Sequence, residues 1–187
     1  MLIRIMGCKE REENINKMLS ALPDDTEVIW DTDHNPCHTL QRVVDSNEQI
    51  LIMEDDIELC KDFFNKAMAE IKERPNAFIM FYAGWETEDK DIENKNNWVP
   101  YSNKFVFTQA YYLPAWLGKE LKEFLETNLR AHHHRRSKSI NIFLTRRGIE
   151  KYLVTPSLVQ HIDSNSLNCP WASVECRFHQ SKTYKYE

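Results

Sequence analysis

Apolar positions along the chain fall into short unbroken runs separated by stretches of helical period. "LIRIM" (2–6) reads as a strand. In "REENINKMLSAL" (11–22), Ile15, Met18, Leu19 and Leu22 recur at helical spacing before Pro23. "EVIW" (27–30) is a second strand, "DTDHNP" (31–36) has turn chemistry, and "CHTLQRVVD" (37–45) predicts a helix with Leu40, Val43 and Val44 inward. "QILIM" (49–53) is apolar without alternation, as expected of a parallel strand covered on both faces. "CKDFFNKAMAEIKER" (60–74) is amphipathic, with Phe63, Phe64, Ala67, Met68 and Ile71 on one side, and "AFIMFYA" (77–83) is a fourth strand. Strands alternating with helices predict an α/β fold: a mostly parallel central sheet flanked by helices on both faces.

The second half is less regular. "GWETEDKDIENKNNW" (84–98) is polar and aperiodic and reads as a long surface loop, a kind of segment that often carries function. "KFVFTQAYYL" (104–113) predicts a strand. "PAWLGKELKEFLETNL" (114–129) predicts a helix with Pro114 in its first turn and Leu117, Leu121, Phe124 and Leu125 inward. "RAHHHRRSK" (130–138) is a basic loop, "SINIFLTRRG" (139–148) a short helix closed by Gly148, and "KYLVTP" (151–156) a last strand before an irregular tail. No internal repeat or low-complexity linker divides the chain, so one domain over 1–187 is expected.

The 187 residues are 42% hydrophobic and 11% aromatic, enough for a real core and unlike a disordered chain. No apolar run approaches the roughly 20 residues of a bilayer span, and the opening residues lack a signal-peptide pattern. Five cysteines occur without a C-x-x-C pair, which fits reduced thiols. A cytoplasmic protein, in a bacterial or phage-infected cytosol, is the expectation. The net charge of −5 is unevenly spread: residues 1–100 hold 11 basic and 22 acidic residues, and 101–187 hold 13 and 7. An acidic half beside a basic half suits a site that holds a cation with a polyanionic ligand, while the overall sign weighs against general nucleic-acid affinity.

The sharpest feature is Glu54-Asp55-Asp56, directly after the unbroken apolar strand. Ligands of open parallel sheets bind at such carboxyl ends. Clustered carboxylates repel one another and resist burial unless compensated. Hard oxygen ligands of this kind suit Mg²⁺ or Mn²⁺. Extended backbone would place Glu54 and Asp56 on one side and Asp55 on the other. The alternative is a solvated turn in which Asp56 and Glu58 cap the following helix.

"ILIMEDDIELCKDF" (50–63) resembles the acidic signature of GT-A-type nucleotide-sugar glycosyltransferases, above all their lipopolysaccharide-type and phage-encoded members. "IRIMGCKEREENINKML" (3–19), "FVFTQAYYLPAWLGKELKEFL" (105–125) and "YLVTPSLVQHIDSNSL" (152–167) resemble further segments of that family in the same order. The resemblance implies a single GT-A-like (Rossmann-like) domain, with a nucleotide-sugar-binding half in 1–100. Residues 101–187 would form the acceptor half and a C-terminal metal-binding segment. It implies transfer of a sugar from a nucleoside-diphosphate sugar with Mn²⁺ or Mg²⁺. Glu54 and Asp56 would be the outer acids of a D-x-D-type motif, Asp56 binding the metal directly. Asp55 would lie by the donor ribose or order the site, and His161 would complete the metal site.

Other residues are candidates by position. Arg11 and the loop from Asp31 to His34 follow strands and are placed to meet base or ribose, and Arg42 to face the donor from the next helix. Arg136 belongs to a basic stretch available to a diphosphate. Adjacent His132, His133 and His134 read as a flexible polar loop. Relatives often carry an acid near Ser137 or Ser139, but "RRSKSINIFL" has none. Glu86, Glu88 and Asp163 are therefore the candidates for activating the acceptor, with Asp56, Glu86 and Asp163 the candidate catalytic acids. Two rival readings stand beside a glycosyltransferase: a degenerate relative that binds nucleotide or sugar without turnover, and a Mg²⁺-dependent nucleic-acid enzyme. The acceptor stays open between DNA, glycan, protein and small molecule.

Overall fold

β3 (Ile50–Glu54) is the strand around which the rest is assembled, and all five of its residues are buried. Leu51 and Met53 point into one apolar cluster, Ile50 and Ile52 into another. This is why its sequence is apolar without alternation. The computed structural model describes residues 1–83, 98–101, 106–128 and 136–162, together with Tyr184 and Tyr186. Glu86, Glu88, the three adjacent histidines, Asp163, Cys169 and Cys176 lie outside the described residues.

β1 (Leu2–Gly7) and β2 (Glu27–Trp30) are joined by a 3-10 turn (Lys9–Arg11) and α1 (Glu12–Leu19). α2 (Pro36–Val44) leads into β3. A short β4 (Ile57–Leu59) precedes α3 (Phe63–Glu73) and β5 (Phe78–Met80). β6 (Trp98–Tyr101), β7 (Ala110–Leu113), α4 (Ala115–Asn128), α5 (Arg136–Arg146), β8 (Lys151–Val154) and β9 (Val159–His161) complete the described elements.

Seven strands form the central sheet in the order β2-β1-β3-β7-β5-β8-β6. β2, β1, β3, β5 and β8 run one way, and β7 and β6 run the other. The sheet is thus mostly parallel, as the alternating strand and helix pattern predicts. A helical crossover is what makes consecutive strands parallel. No helix occurs among the described residues between β5 and β7, and β7 returns antiparallel between β3 and β5.

Each face of the sheet carries helices. α1 and α3 bring Ile15, Met18, Phe63 and Ile71 against Ile5, Leu51 and Ile79. α2, α4 and α5 bring Leu40, Val43, Leu117, Leu121 and Phe143 against Ile50, Ile52 and Met80. Local signals set several ends. Asn35 Oδ1 accepts hydrogen bonds from the Cys37 and His38 N–H groups at 3.1 and 3.3 Å, capping α2. Gly148, at φ 64°, follows α5, where a side chain would be strained.

Some expected boundaries shift. Of the strand expected over 104–113, the described residues are regular from Ala110, and the strand expected over 77–83 leaves the ladder after Met80. The Phe81 N–H then donates to Ala110 O at 2.9 Å, and Phe81 O accepts from Leu158 N–H at 2.9 Å. α3 starts at Phe63 rather than residue 60: residues 60–62 form a turn after β4, and Asp62, at φ 59°, has left-handed rather than helical backbone. Cys8, Cys37 and Cys60 are free thiols. No helix among the described residues is long and apolar enough to cross a membrane.

One core-facing carboxyl carries a stability prediction. Glu70 Oε2, on α3, is shielded from water and meets no hydrogen-bond donor among the described residues. Burial, then repulsion from Glu73, pushes its pKa from 4.5 to about 7, against a smaller opposing pull from Arg74. An acid with a raised folded pKa binds more protons folded than unfolded, so its ionisation destabilises the fold above that pKa. Glu70→Gln is expected to stabilise at pH 8 by about 1 kcal/mol after solvent screening, or roughly 2–4 °C in Tm. The gain should fade as pH drops from 7 towards 4.5, where the wild-type carboxyl is protonated in both states. Thermal melts of both proteins from pH 4 to 8 check this; a pH-independent difference would contradict it.

Candidate active site

The carboxyl end of β3 gathers the acids and their partners. Extended backbone ends at Glu54, and Asp55 and Asp56 form a turn into β4. Glu54, Asp55, Asp56 and His161 are all buried, with 6%, 7%, 9% and 8% exposure. This removes the alternative of a solvated, helix-capping turn. Asp56 is buried, Glu58 lies within β4, and α3 begins only at Phe63. The turn also overturns the expected alternation that separates Asp55 from Asp56. The Arg11 guanidinium donates through Nη1 to Asp55 Oδ1 at 2.8 Å and to Asp56 Oδ2 at 2.9 Å. Both aspartates therefore converge on one cation.

Each carboxylate has its own attachment. Asp55 Oδ2 also accepts the Cys8 N–H at 2.6 Å, which ties Asp55 to the end of β1. Asp56 Oδ2 lies 3.4 Å from His161 Nε2. The backbone of the turn is held by Asn14, whose Nδ2 donates to Asp55 O at 2.7 Å and to Ile57 O at 3.0 Å. Arg11 and Asn14 continue the stripe of Ile15 and Met18, which faces the sheet. They are polar residues at core-facing positions, where buried polar groups need partners.

His161 arrives through a second, smaller sheet. β9 pairs antiparallel with β4, setting Ile57 opposite His161 and Leu59 opposite Val159. The Ile162 N–H donates to Asp56 O at 2.9 Å. Upstream, buried Ser157 Oγ lies 3.1 Å from Phe81 O and 2.7 Å from Val159 O, with one proton to donate between them, and accepts the Ala83 N–H at 3.3 Å. This hydroxyl fastens the segment "PSLVQH" to the end of β5. Its position sets where His161 stands.

The site is electrostatically coupled. Burial works against protonation of His161, but the Asp56 hydrogen bond and the charges of Asp56 and Glu54 together raise its pKa. Desolvation likewise opposes the Arg11 charge, and Asp56 and Asp55 outweigh it and hold Arg11 protonated. Burial, with the Asp56 charge, pushes the Tyr82 hydroxyl up to about 12. Burial, with Asp55, pushes the Cys8 thiol up to about 12, so Cys8 is not a ready thiolate nucleophile. Among the described residues, three carboxylates face one guanidinium and one imidazole, a balance that favours further positive charge.

As a metal site the arrangement is spare. Among the described residues no group of three or more His, Cys, Asp or Glu side chains is gathered to hold an ion. Asp56 and His161 are close enough to share one. Mg²⁺ and similar ions commonly take one or two protein ligands and fill the remainder with water and substrate phosphate. Two donors of oxygen and imidazole type fit that use.

The other candidates are placed as follows. Asp31 Oδ1 accepts the Asn35 N–H at 3.1 Å, within the β2–α2 loop. Arg42 is exposed and donates to Trp30 O at 2.9 Å and Thr39 Oγ1 at 3.1 Å. Both lie beside the end of β2 rather than in the acid cluster. There Lys9 Nζ sits 4.0 Å from the Trp30 ring centroid, a cation–π contact. Arg136 begins α5. Ser139 is buried in α5 and Ser137 is exposed. Asn14, Ser157 and the Cys8 N–H were not singled out by sequence reasoning. Only Asn14 left a usable sign there, as a polar residue in the apolar stripe of α1.

No protein-family model matches the chain, and no curated protein sequence does. Solved structures do. The chain is similar to A197 from STIV, at 14% identity, with 88% of this chain and 87% of that one covered and a TM-score of 0.52. It is also similar to the CTP:phosphocholine cytidylyltransferase LicC of Streptococcus pneumoniae, at 12% identity, with 88% and 73% covered and a TM-score of 0.51. At such identities the likeness establishes the fold, a Rossmann-like α/β arrangement.

Proposed function

We propose that this chain is a metal-dependent glycosyltransferase, moving a sugar from a nucleoside-diphosphate sugar to an acceptor. The observation that carries the reading is the meeting of Asp56 with His161, 3.4 Å apart at the carboxyl end of β3. These residues come from the two segments, "ILIMEDDIELCKDF" and "YLVTPSLVQHIDSNSL", that resemble glycosyltransferase signatures. The fold shared with a cytidylyltransferase supports a nucleotide-derived donor.

Asp56 and His161 would hold Mn²⁺ or Mg²⁺, with Glu54 adding negative charge beside them. When bound, the ion supplies Lewis-acid neutralisation of the leaving diphosphate. The chain's own residues do the rest. Asp55, fixed by the Cys8 N–H and Arg11, keeps the turn in register. Arg11 adds a fixed positive charge in a water-poor site, where such charges act strongly. Asp31 and Arg42, beside the end of β2, are proposed to border the base and ribose, and Arg136 the diphosphate. Glu86 and Asp163 remain the proposed acids for acceptor activation.

A second reading is favoured by the cytidylyltransferase likeness: nucleotidyl transfer from a nucleoside triphosphate. One experiment separates the two. The protein is incubated with a panel of nucleotide sugars and of nucleoside triphosphates, in Mn²⁺ and in EDTA, and the released phosphates are identified. Metal-dependent release of nucleoside diphosphate from one sugar donor is the expected result. Pyrophosphate release would transfer the assignment to nucleotidyl transfer. A metal-dependent thermal shift with nucleotide but no product from any donor would favour a non-catalytic binder.

A further inference from the structure

We infer that Arg11 is the resident counter-cation of the acid cluster and that a divalent ion bound at Asp56 competes with it. This rests on Asp56 serving as a metal ligand. One nitrogen, Nη1, contacts both carboxylates, 2.8 Å from Asp55 Oδ1 and 2.9 Å from Asp56 Oδ2. It thus occupies the bridging position between two acids that a metal ion also seeks. The Arg11, Asp55 and Asp56 side chains are 13%, 10% and 13% exposed, so water and salt screen the contact weakly. A guanidinium and a divalent ion repel each other, so an ion bound to Asp56 is opposed by Arg11 at its present distance.

The two aspartates differ in what each keeps after an exchange. Asp55 retains the Cys8 N–H and Arg11 itself. Asp56 has His161 beside it, a neutral donor once its proton is lost and a partner the ion can share. Arg11 can therefore leave Asp56 while staying tethered to Asp55, next to the ion. When no ion is bound, Arg11 would compensate the acids and so stabilise the fold. Its positive charge also weakens metal binding until an anionic diphosphate offsets it. Metal and nucleotide would then bind cooperatively, each making room for the other.

The test is Mn²⁺ titration by calorimetry, without nucleotide and with UDP, GDP, CDP or ADP. The proteins are wild type, Arg11→Met, Arg11→Gln and Asp56→Asn, with folding checked by circular dichroism. Both Arg11 variants are expected to bind Mn²⁺ alone at least tenfold more tightly than wild type. They should also melt lower without Mn²⁺ and recover with it. A purely structural role for Arg11 would lower stability without raising metal affinity. Folded variants that bind Mn²⁺ no more tightly than wild type would overturn the inference. If neither variant folds without metal, recovery on refolding in Mn²⁺ supports it and failure to recover overturns it. Equal Mn²⁺ binding by wild type and Asp56→Asn, nucleotide present, would instead remove Asp56 as a ligand and with it the functional reading above.

Discussion

Asp56→Ala is expected to abolish metal-dependent nucleotide binding and to reduce donor turnover by about 10³-fold. The size follows from the role proposed for the carboxylate. A metal ion stabilises the developing charge of a leaving diphosphate by several kcal/mol, and each 1.36 kcal/mol is tenfold in rate. The variant should stay folded, because Arg11 keeps its 2.8 Å contact to Asp55 and the turn keeps its Asn14 bonds. Asp56→Asn, which preserves shape and removes charge, should match Asp56→Ala in activity. The measurements are nucleoside-diphosphate release and thermal shift with Mn²⁺ plus nucleotide. Full activity in a folded Asp56→Ala protein would sink the glycosyltransferase reading.

Asn14→Leu should have the largest effect on stability among single changes near the site. Leucine keeps asparagine's branching and heavy-atom count, though it is bulkier, and removes the donor that serves both Asp55 O and Ile57 O. Each buried acceptor deprived of its donor costs about 1–3 kcal/mol, so a loss of about 2–4 kcal/mol is expected. In a chain of this length that corresponds to a fall in Tm of roughly 5–15 °C. The same turn carries Asp55 and Asp56, so turnover should fall too, more than the loss of folded protein explains. Denaturant titration beside activity per folded molecule checks both parts. A Tm within about 2 °C of wild type would show that the turn does not depend on Asn14.

Much of the fold was legible in the chain. β2 matches its expected span, and β1, α2, β3 and α4 lie within a residue or two of theirs. Their runs are long or flanked by clear caps, such as Asn35 before α2 and Pro114 before α4. β4 and β9 were not legible. Each has three residues and exists through pairing with the other, so neither carries a periodic signal of its own. The start of α3 was expected too early because the turn at 60–62, with Asp62 at φ 59°, leaves no periodic sign. The direction of β7 was likewise beyond reach, because the strand pattern by itself is blind to orientation.

The candidate site divides in the same way. The sequence by itself determined that three acids follow an unbroken apolar strand; that "PSLVQH" belongs with them was only what the resemblance implied. It also put Arg11 and Asn14 in register with the apolar stripe of α1. Only the tertiary structure decided that Asp55 and Asp56 turn towards one guanidinium rather than to opposite faces. It alone decided that β9, fastened by Ser157, sets His161 3.4 Å from Asp56. The reason is range. Side-chain period is a local property, read from neighbours along the chain. Compensation of buried charge depends on separations of a few ångströms between residues far apart in sequence, and folding alone fixes those.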